Sequence, residues 1–206
     1  MKILVADDHQ IVRKGLQLII AHRPSWTIGE ASDPTELFAA LASDSYDVLV
    51  LDLRLRGVSG LDILGRARRE YPQLPVLILS MHSEEQYALL SLRAGASGYV
   101  QKDATAEEIL EALERVGAGR RWVSSAVAEQ LAEELVHPSD RPHERLSVRE
   151  LEVFRRLAVG ESVTAISKEM ALSVKTISTY RARILDKTGF QTNADIVAYA
   201  IRNHLI

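Results

Sequence analysis

Three uninterrupted apolar runs of strand length, Ile3–Ala6, Val48–Leu51 and Val76–Leu79, constrain the first 120 residues more than any other feature. A strand with one wet face alternates polar and apolar residues. A run that is apolar at every position is covered on both faces, as in a parallel sheet flanked by helices. A weaker strand over Thr27–Ala31 fits between the first two runs, and Ser97–Val100 reads as a fifth. Helical patterns occupy about 9–20, 34–42, 59–70, 84–94 and 105–117. The last opens on a capping box, Thr105-Ala-Glu-Glu108, and then turns Ile109, Leu113 and Val116 inward. Five βα units in this order predict a doubly wound α/β domain over residues 1–120, with a five-stranded parallel sheet.

A different pattern follows. Residues 121–145 read as a helix, about 124–136, and then a polar linker, HPSDRPHER at 137–145. Beyond it the strand signals stop. Ser147-Val-Arg-Glu150 is a second capping box, and short helices at about 148–158, 163–170, 174–187 and 193–204 predict a small all-α domain over 146–206. Charge divides the same way. Residues 1–140 carry a net −7 and residues 141–206 a net +4, which places any polyanionic partner at the back of the chain.

Composition narrows the setting. With no cysteine, neither disulfides nor a cysteine-based zinc site holds either domain together. The start, MKILVADDHQ, reaches two acidic residues before a signal-peptide core could form, and the longest apolar runs fall far short of a membrane span. The expectation is a cytoplasmic protein with no membrane partner.

In doubly wound sheets the functional crevice lies at the carboxyl ends of the strands. Asp7 and Asp8 end the first strand, Asp52 the third and Ser80 the fourth, and Lys102 closely follows the fifth. Three carboxylates gathered there repel one another unless a cation intervenes. Oxygen-only donors favour a hard ion, and Mg²⁺ is the usual one where phosphate is handled. Asp52 is the candidate nucleophile, because a carboxylate can accept a phosphoryl group as an acyl phosphate. Lys102 and the ion would neutralise charge on the transferred group, and Ser80 would donate a hydrogen bond to it. Singly, each residue has a bland reading as a cap, a turn or a solvated side chain. Each falls on its proper strand in chain order, and that coincidence carries the assignment.

Residues 1–118 resemble a response-regulator receiver domain through VADDH, VLVLDLRL, VLILSM and GYVQKD. The resemblance implies that Asp7 and Asp8 bind Mg²⁺ with Asp52 and the backbone carbonyl of Arg54. It also implies that Asp52 takes the phosphoryl group, with Ser80 and Lys102 as the catalytic hydroxyl and lysine. Tyr99 matches an aromatic switch that changes rotamer together with Ser80. Lys102 is followed by Asp103 where many receivers carry proline, and Met81 and His82 occupy positions that tune phosphoryl lifetime.

In the basic tail, Ile177, Tyr180 and Ile184 share one helical face, while Lys175, Ser178, Thr179, Ala182 and Arg183 share the opposite one. Ser173 is a natural N-cap, leaving backbone N–H groups to meet a phosphate, and the preceding helix would brace this one. The segment from Leu146 to about Ile206 resembles the LuxR-type DNA-binding domain of NarL/FixJ-family response regulators. The residues that carry the likeness are LS-x-RE-x-EV, LA-x-G-x-S, LS-x-KT and KTG. By that resemblance 174–187 is the recognition helix, and Lys175, Thr176, Ser178, Thr179, Arg181, Arg183 and Lys187 are its candidate DNA contacts. The helix over 193–204 is the one that commonly pairs in the DNA-bound dimer. Ser178 and Tyr180 stand where lysine and histidine are frequent, so phosphate contacts are expected to carry much of the affinity.

The expectation is a two-component transcription regulator, not an enzyme. A sensor histidine kinase is its phosphodonor, double-stranded DNA its target, a homodimer its active form and RNA polymerase a further candidate partner. A haloacid-dehalogenase type of enzyme would also use an aspartate nucleophile and Mg²⁺. It needs a general acid two residues on, where this chain has Arg54. A third reading keeps the DNA binding but makes the front domain a dimerisation module that works without phosphorylation.

Overall fold

The computed structural model describes residues 1–56, 58–81, 84–136, 141–170, 172–203 and 205–206. Of the sequence features discussed above, His82, the 137–140 part of the linker and residue 204 at the end of the expected last helix lie outside these residues. The chain divides into two units, Met1–Pro138 and Ser139–Ile206.

In the first unit the apolar runs become β1 (Lys2–Ala6), β2 (Thr27–Ala31), β3 (Val48–Asp52), β6 (Val76–Ser80) and β7 (Gly98–Gln101). They form one parallel sheet in the order β2-β1-β3-β6-β7. Helices α1 (Gln10–Ile20), α2 (Pro34–Ser43), α3 (Gly60–Glu70), α4 (Glu84–Arg93) and α5 (Ala106–Gly117) connect and flank the strands. On one face Ile3, Val5, Val48, Val50, Leu77, Leu79 and Val100 meet Leu16 and Ile20 of α1 and Ile109, Leu113 and Val116 of α5. Residues one position out of phase, such as Leu4, Leu49, Leu51 and Ile78, are equally buried, so the continuous apolar runs are explained by a sheet covered twice. The chain leaves β1 toward β2 on one side and returns to β3 on the other. That reversal opens the crevice between the carboxyl ends of β1 and β3.

Two features were not legible as elements in the sequence. Directly after β3, Arg54–Leu55 (β4) and Val58–Ser59 (β5) form a two-strand antiparallel ribbon. Beyond α5, Trp122 bridges to Gly98 at the sheet edge; its N–H donates to Ser97 O at 3.1 Å, and its carbonyl accepts from Tyr99 N at 3.3 Å. Helix α6 (Ser125–Val136) follows and packs on α4.

The second unit opens with a 3-10 turn, Pro142–Arg145, inside the segment expected to be linker. His143 holds it in place, its Nδ1 2.7 Å from the Tyr199 hydroxyl. Helices α7 (Val148–Ala158), α8 (Val163–Glu169), α9 (Val174–Thr188) and α10 (Asn193–Arg202) follow. Their core is Phe154, Leu157, Ile166, Ile177, Ile184, Ile196 and Tyr199. Both expected capping boxes form, and Thr192–Asp195 adds a third at α10. Helix α9 ends on Gly189 at φ 75°, a left-handed cap that any side chain would strain. No described helix is long and apolar enough to cross a membrane.

Candidate functional site

The reversal between β1 and β3 brings Asp7 and Asp52 to adjacent strand ends, and the turn after β7 swings Lys102 over both. Its ammonium lies 2.6 Å from Asp7 Oδ2 and 2.9 Å from Asp52 Oδ2. All three side chains are at most 6% exposed, so the ion pairs form largely out of water. Burial pushes the Asp52 carboxyl above its usual range; Lys102 opposes the shift, and the neighbouring Asp7 charge adds to it. Burial alone would lower the Lys102 ammonium, but the Asp7 and Asp52 carboxylates beside it outweigh that and leave it raised. One lysine therefore balances two buried carboxylates, and the pocket keeps an excess of negative charge.

The other expected members lie close by. Asp8 is partly exposed; its Oδ2 accepts from the backbone N–H of Arg56 at 3.2 Å. Arg56 sits at φ 47°, between the strands of the β4–β5 ribbon. Arg54 begins that ribbon, and its N–H donates to the Asp52 carboxylate. Ser80 is buried at the end of β6, opposite Gln101, and its carbonyl accepts from Lys102 N at 2.9 Å. Tyr99 is fully buried in β7, paired with Ile78.

His9 was missed in the sequence. Its Nδ1 lies 2.9 Å from Asp8 Oδ1 and 3.1 Å from Asp7 Oδ1, and with Asp52 these residues offer four ligand atoms within 4.8 Å of one another. Its place directly after two aspartates was the only signal. The donor set suits a hard cation. Buried Asp7 Oδ2 has no aligned hydrogen-bond donor, and Lys102 meets it as a point charge.

In the second unit, α8 and α9 form the helix-turn-helix. The Ser173 Oγ accepts from Thr176 N at 3.0 Å, capping α9 as its sequence predicts. Ile177 and Ile184 are buried and Tyr180 half-buried, while Lys175, Ser178, Thr179, Ala182 and Arg183 are exposed. The Thr179 hydroxyl donates to Lys175 O at 3.0 Å, leaving its lone pairs outward. Three expected contacts have other engagements. Thr176 is half-buried in the cap, Arg181 Nε donates to Asn193 Oδ1 at 2.6 Å, and Lys187 Nζ lies 2.6 Å from Glu150 Oε2. The reason for the last is physical: Glu150 is buried on α7 and needs a counter-charge.

Comparison with known proteins agrees with both units. Residues 3–114 match the response regulator receiver domain, and residues 144–200 match the bacterial regulatory proteins of the luxR family. The response regulator GacA of Pseudomonas aeruginosa is 32% identical, spanning 100% of this chain and 98% of its own. The oxygen regulatory protein NreC of Staphylococcus aureus is also 32% identical, spanning 100% and 99%. Among solved structures, RcsB of Salmonella enterica serovar Typhimurium, bound to promoter rprA with the phosphomimetic BeF3-, aligns with a TM-score of 0.66 at 27% identity over 97% of this chain and 98% of its own. A two-component response regulator of the LuxR family from Aurantimonas aligns with a TM-score of 0.61 at 36% identity, over 66% of this chain and 98% of its own. The chain belongs to the response regulators that join a receiver domain to a LuxR-type DNA-binding domain.

Proposed function

We propose that Asp52 accepts a phosphoryl group from the phosphohistidine of a sensor kinase, and that this controls dimerisation and DNA binding by the second unit. The observation that carries the reading is the buried Lys102 ammonium shared by Asp7 and Asp52. Asp52 attacks phosphorus, the histidine N–P bond breaks, and an acyl phosphate forms on the carboxylate. Lys102 moves its charge onto the incoming phosphoryl oxygens, and Ser80 donates its hydroxyl to one of them.

Asp7, Asp8 and Asp52, with the Arg54 carbonyl, would hold Mg²⁺, which supplies the positive charge that lets two anions approach. Tyr99 and Ser80 then relay the change along β6 and β7. Ligand-like stabilisation of one conformation shifts a pre-existing equilibrium.

RcsB was solved on promoter DNA; for this chain we assign the recognition surface to α9. Lys175, Ser178, Thr179 and Arg183 point outward there, while Thr176, Arg181 and Lys187 contribute more to the frame. Two copies, paired through α10, would read two half-sites. RNA polymerase is a further partner of the bound dimer. The protein acts in the cytoplasm, with no membrane partner and no turnover of its own.

The test is to add Mg²⁺ with acetyl phosphate or beryllofluoride and to measure oligomer size and DNA affinity. Both should rise in the wild type and neither in Asp52→Asn. An unchanged wild type would sink the switch and leave a phosphorylation-independent dimerisation module.

A further inference from the structure

Arg13, on the first turns of α1, makes a pair of contacts that the pocket chemistry above does not use. Its Nη1 donates to the backbone carbonyl of Asp7 at 2.7 Å, and its Nε donates to Glu30 Oε2 on β2 at 2.8 Å. The arginine side chain is only 14% exposed, so this is not a freely solvated surface pair. Glu30 also accepts from Gln17 and lies 3.5 Å from Lys14 Nζ. The Arg13 hydrogen bond holds the Glu30 carboxyl below its usual range, so the pair is charged on both sides.

The position of the accepted carbonyl matters. It belongs to the peptide unit joining Asp7 to Asp8, the two carboxylates that would share a cation. The Asp7 N–H is already fixed on Ala31 O at 3.1 Å, and its Oδ1 accepts from His9 N at 2.8 Å. Rotation of that peptide plane about Asp7 ψ would swing Asp8 away from Asp7. Arg13 restrains it from the backbone side, while Arg56 N–H and His9 Nδ1 meet the Asp8 carboxylate. A planar guanidinium can bond the carbonyl and the Glu30 carboxylate at once, in a fixed fork that a lysine cannot reproduce. Glu30 offsets the arginine's charge, so the brace brings less positive charge toward a cation site than a lone arginine would.

We propose that Arg13 is a positioning residue for the cation site, helping to set the mutual orientation of Asp7 and Asp8, and that Glu30 both orients it and offsets its charge. The inference rests on the reading of Asp7 and Asp8 as cation ligands. Groups that orient metal ligands typically govern affinity by 10- to 100-fold.

The test uses the full chain. Mn²⁺ binding is followed by the electron paramagnetic resonance of free Mn²⁺, Mg²⁺ is measured by competition, and thermal unfolding in EDTA checks each variant's fold. Arg13→Gln should weaken both ions by about tenfold or more, and Arg13→Lys should recover only part of that loss. Glu30→Gln should weaken them severalfold at low salt and approach wild type as salt rises, because its effect is an uncompensated charge. With acetyl phosphate, Arg13→Gln should raise the half-saturating Mg²⁺ by the same factor, and its rate should recover at saturating Mg²⁺. A folded Arg13→Gln protein with wild-type affinity overturns the proposal. If that variant does not fold, wild-type affinity in Arg13→Lys overturns it instead. A wild-type chain that binds neither ion would sink the metal reading itself, a different outcome.

Discussion

A Cβ on Gly60 would lie 2.2 Å from the carbonyl oxygen of Asp52, so the first residue of α3 is pressed against the backbone of the proposed acceptor. The Gly60 N–H donates to Leu53 O at 2.7 Å, closing the β4–β5 ribbon back onto the end of β3. Backbone cannot yield to a methyl group as a flexible side chain would.

Gly60→Ala is therefore expected to move Asp52 or the ribbon, at a cost of about 1–3 kcal/mol for overpacking. Thermal unfolding would show the loss, and acetyl phosphate labelling of Asp52 should fall with it. A variant with wild-type stability and labelling would mean that α3 shifts freely.

Lys102→Met would leave Asp7 and Asp52 buried side by side without their counter-ion. Breaking such a pair costs about 3–5 kcal/mol. The loss should be largest in EDTA and partly reversed by Mg²⁺, since a ligand bound to the folded state stabilises it by mass action. Melting temperatures with and without the ion check this. Equal losses in the two conditions would argue against cation binding between these carboxylates.

Lys187 and Glu150 give a pH-dependent contribution in the second unit. Burial would raise the Glu150 carboxyl, but Lys187 and the Ser147 N–H outweigh it and leave the group below its ordinary value. The folded state thus binds fewer protons than the unfolded one in this range. The stabilisation is present above the unfolded pKa of about 4.3 and is lost as pH falls through the lower folded value. Lys187→Met should cost about 1–2 kcal/mol at neutral pH, discounted because the lysine is 40% exposed. The difference from wild type should shrink on acidification; a gap independent of pH would place the loss elsewhere.

On DNA, Lys175→Ala and Arg183→Ala should each weaken binding across sequences and reduce the slope of log affinity against log salt by about 0.9. Ser178→Ala should leave the slope alone and alter preference among sites. Fluorescence anisotropy at several salt concentrations separates the two. An unchanged slope in both basic variants would remove α9 from the phosphate contacts.

The strands, the caps and the carboxylate cluster were legible because each leaves a local trace. Continuous apolar runs mark doubly covered strands, Thr105 and Glu108 stand three residues apart, and Asp7, Asp8 and Asp52 all end strands. The β4–β5 ribbon was not legible, because two-residue strands have no periodicity. Arg13 and Arg56 were missed because one end of each contact is backbone, the Asp7 carbonyl for the Arg13 guanidinium and the Arg56 N–H for Asp8, and backbone carries no residue signature. Lys187 and Arg181 stand among the DNA contacts that the family resemblance implies, yet their partners, Glu150 and Asn193, come from other helices. A wheel cannot show that.

The bridge between Trp122 and the strand carrying Tyr99 has an optical consequence. Both tryptophans of the chain, Trp26 and Trp122, lie in the first unit, and the second has none. Tryptophan emission therefore originates in the first unit alone. Trp122, hydrogen-bonded to the Tyr99 backbone and packed on the core shared by α1 and α5, is a built-in fluorophore on the proposed relay strand.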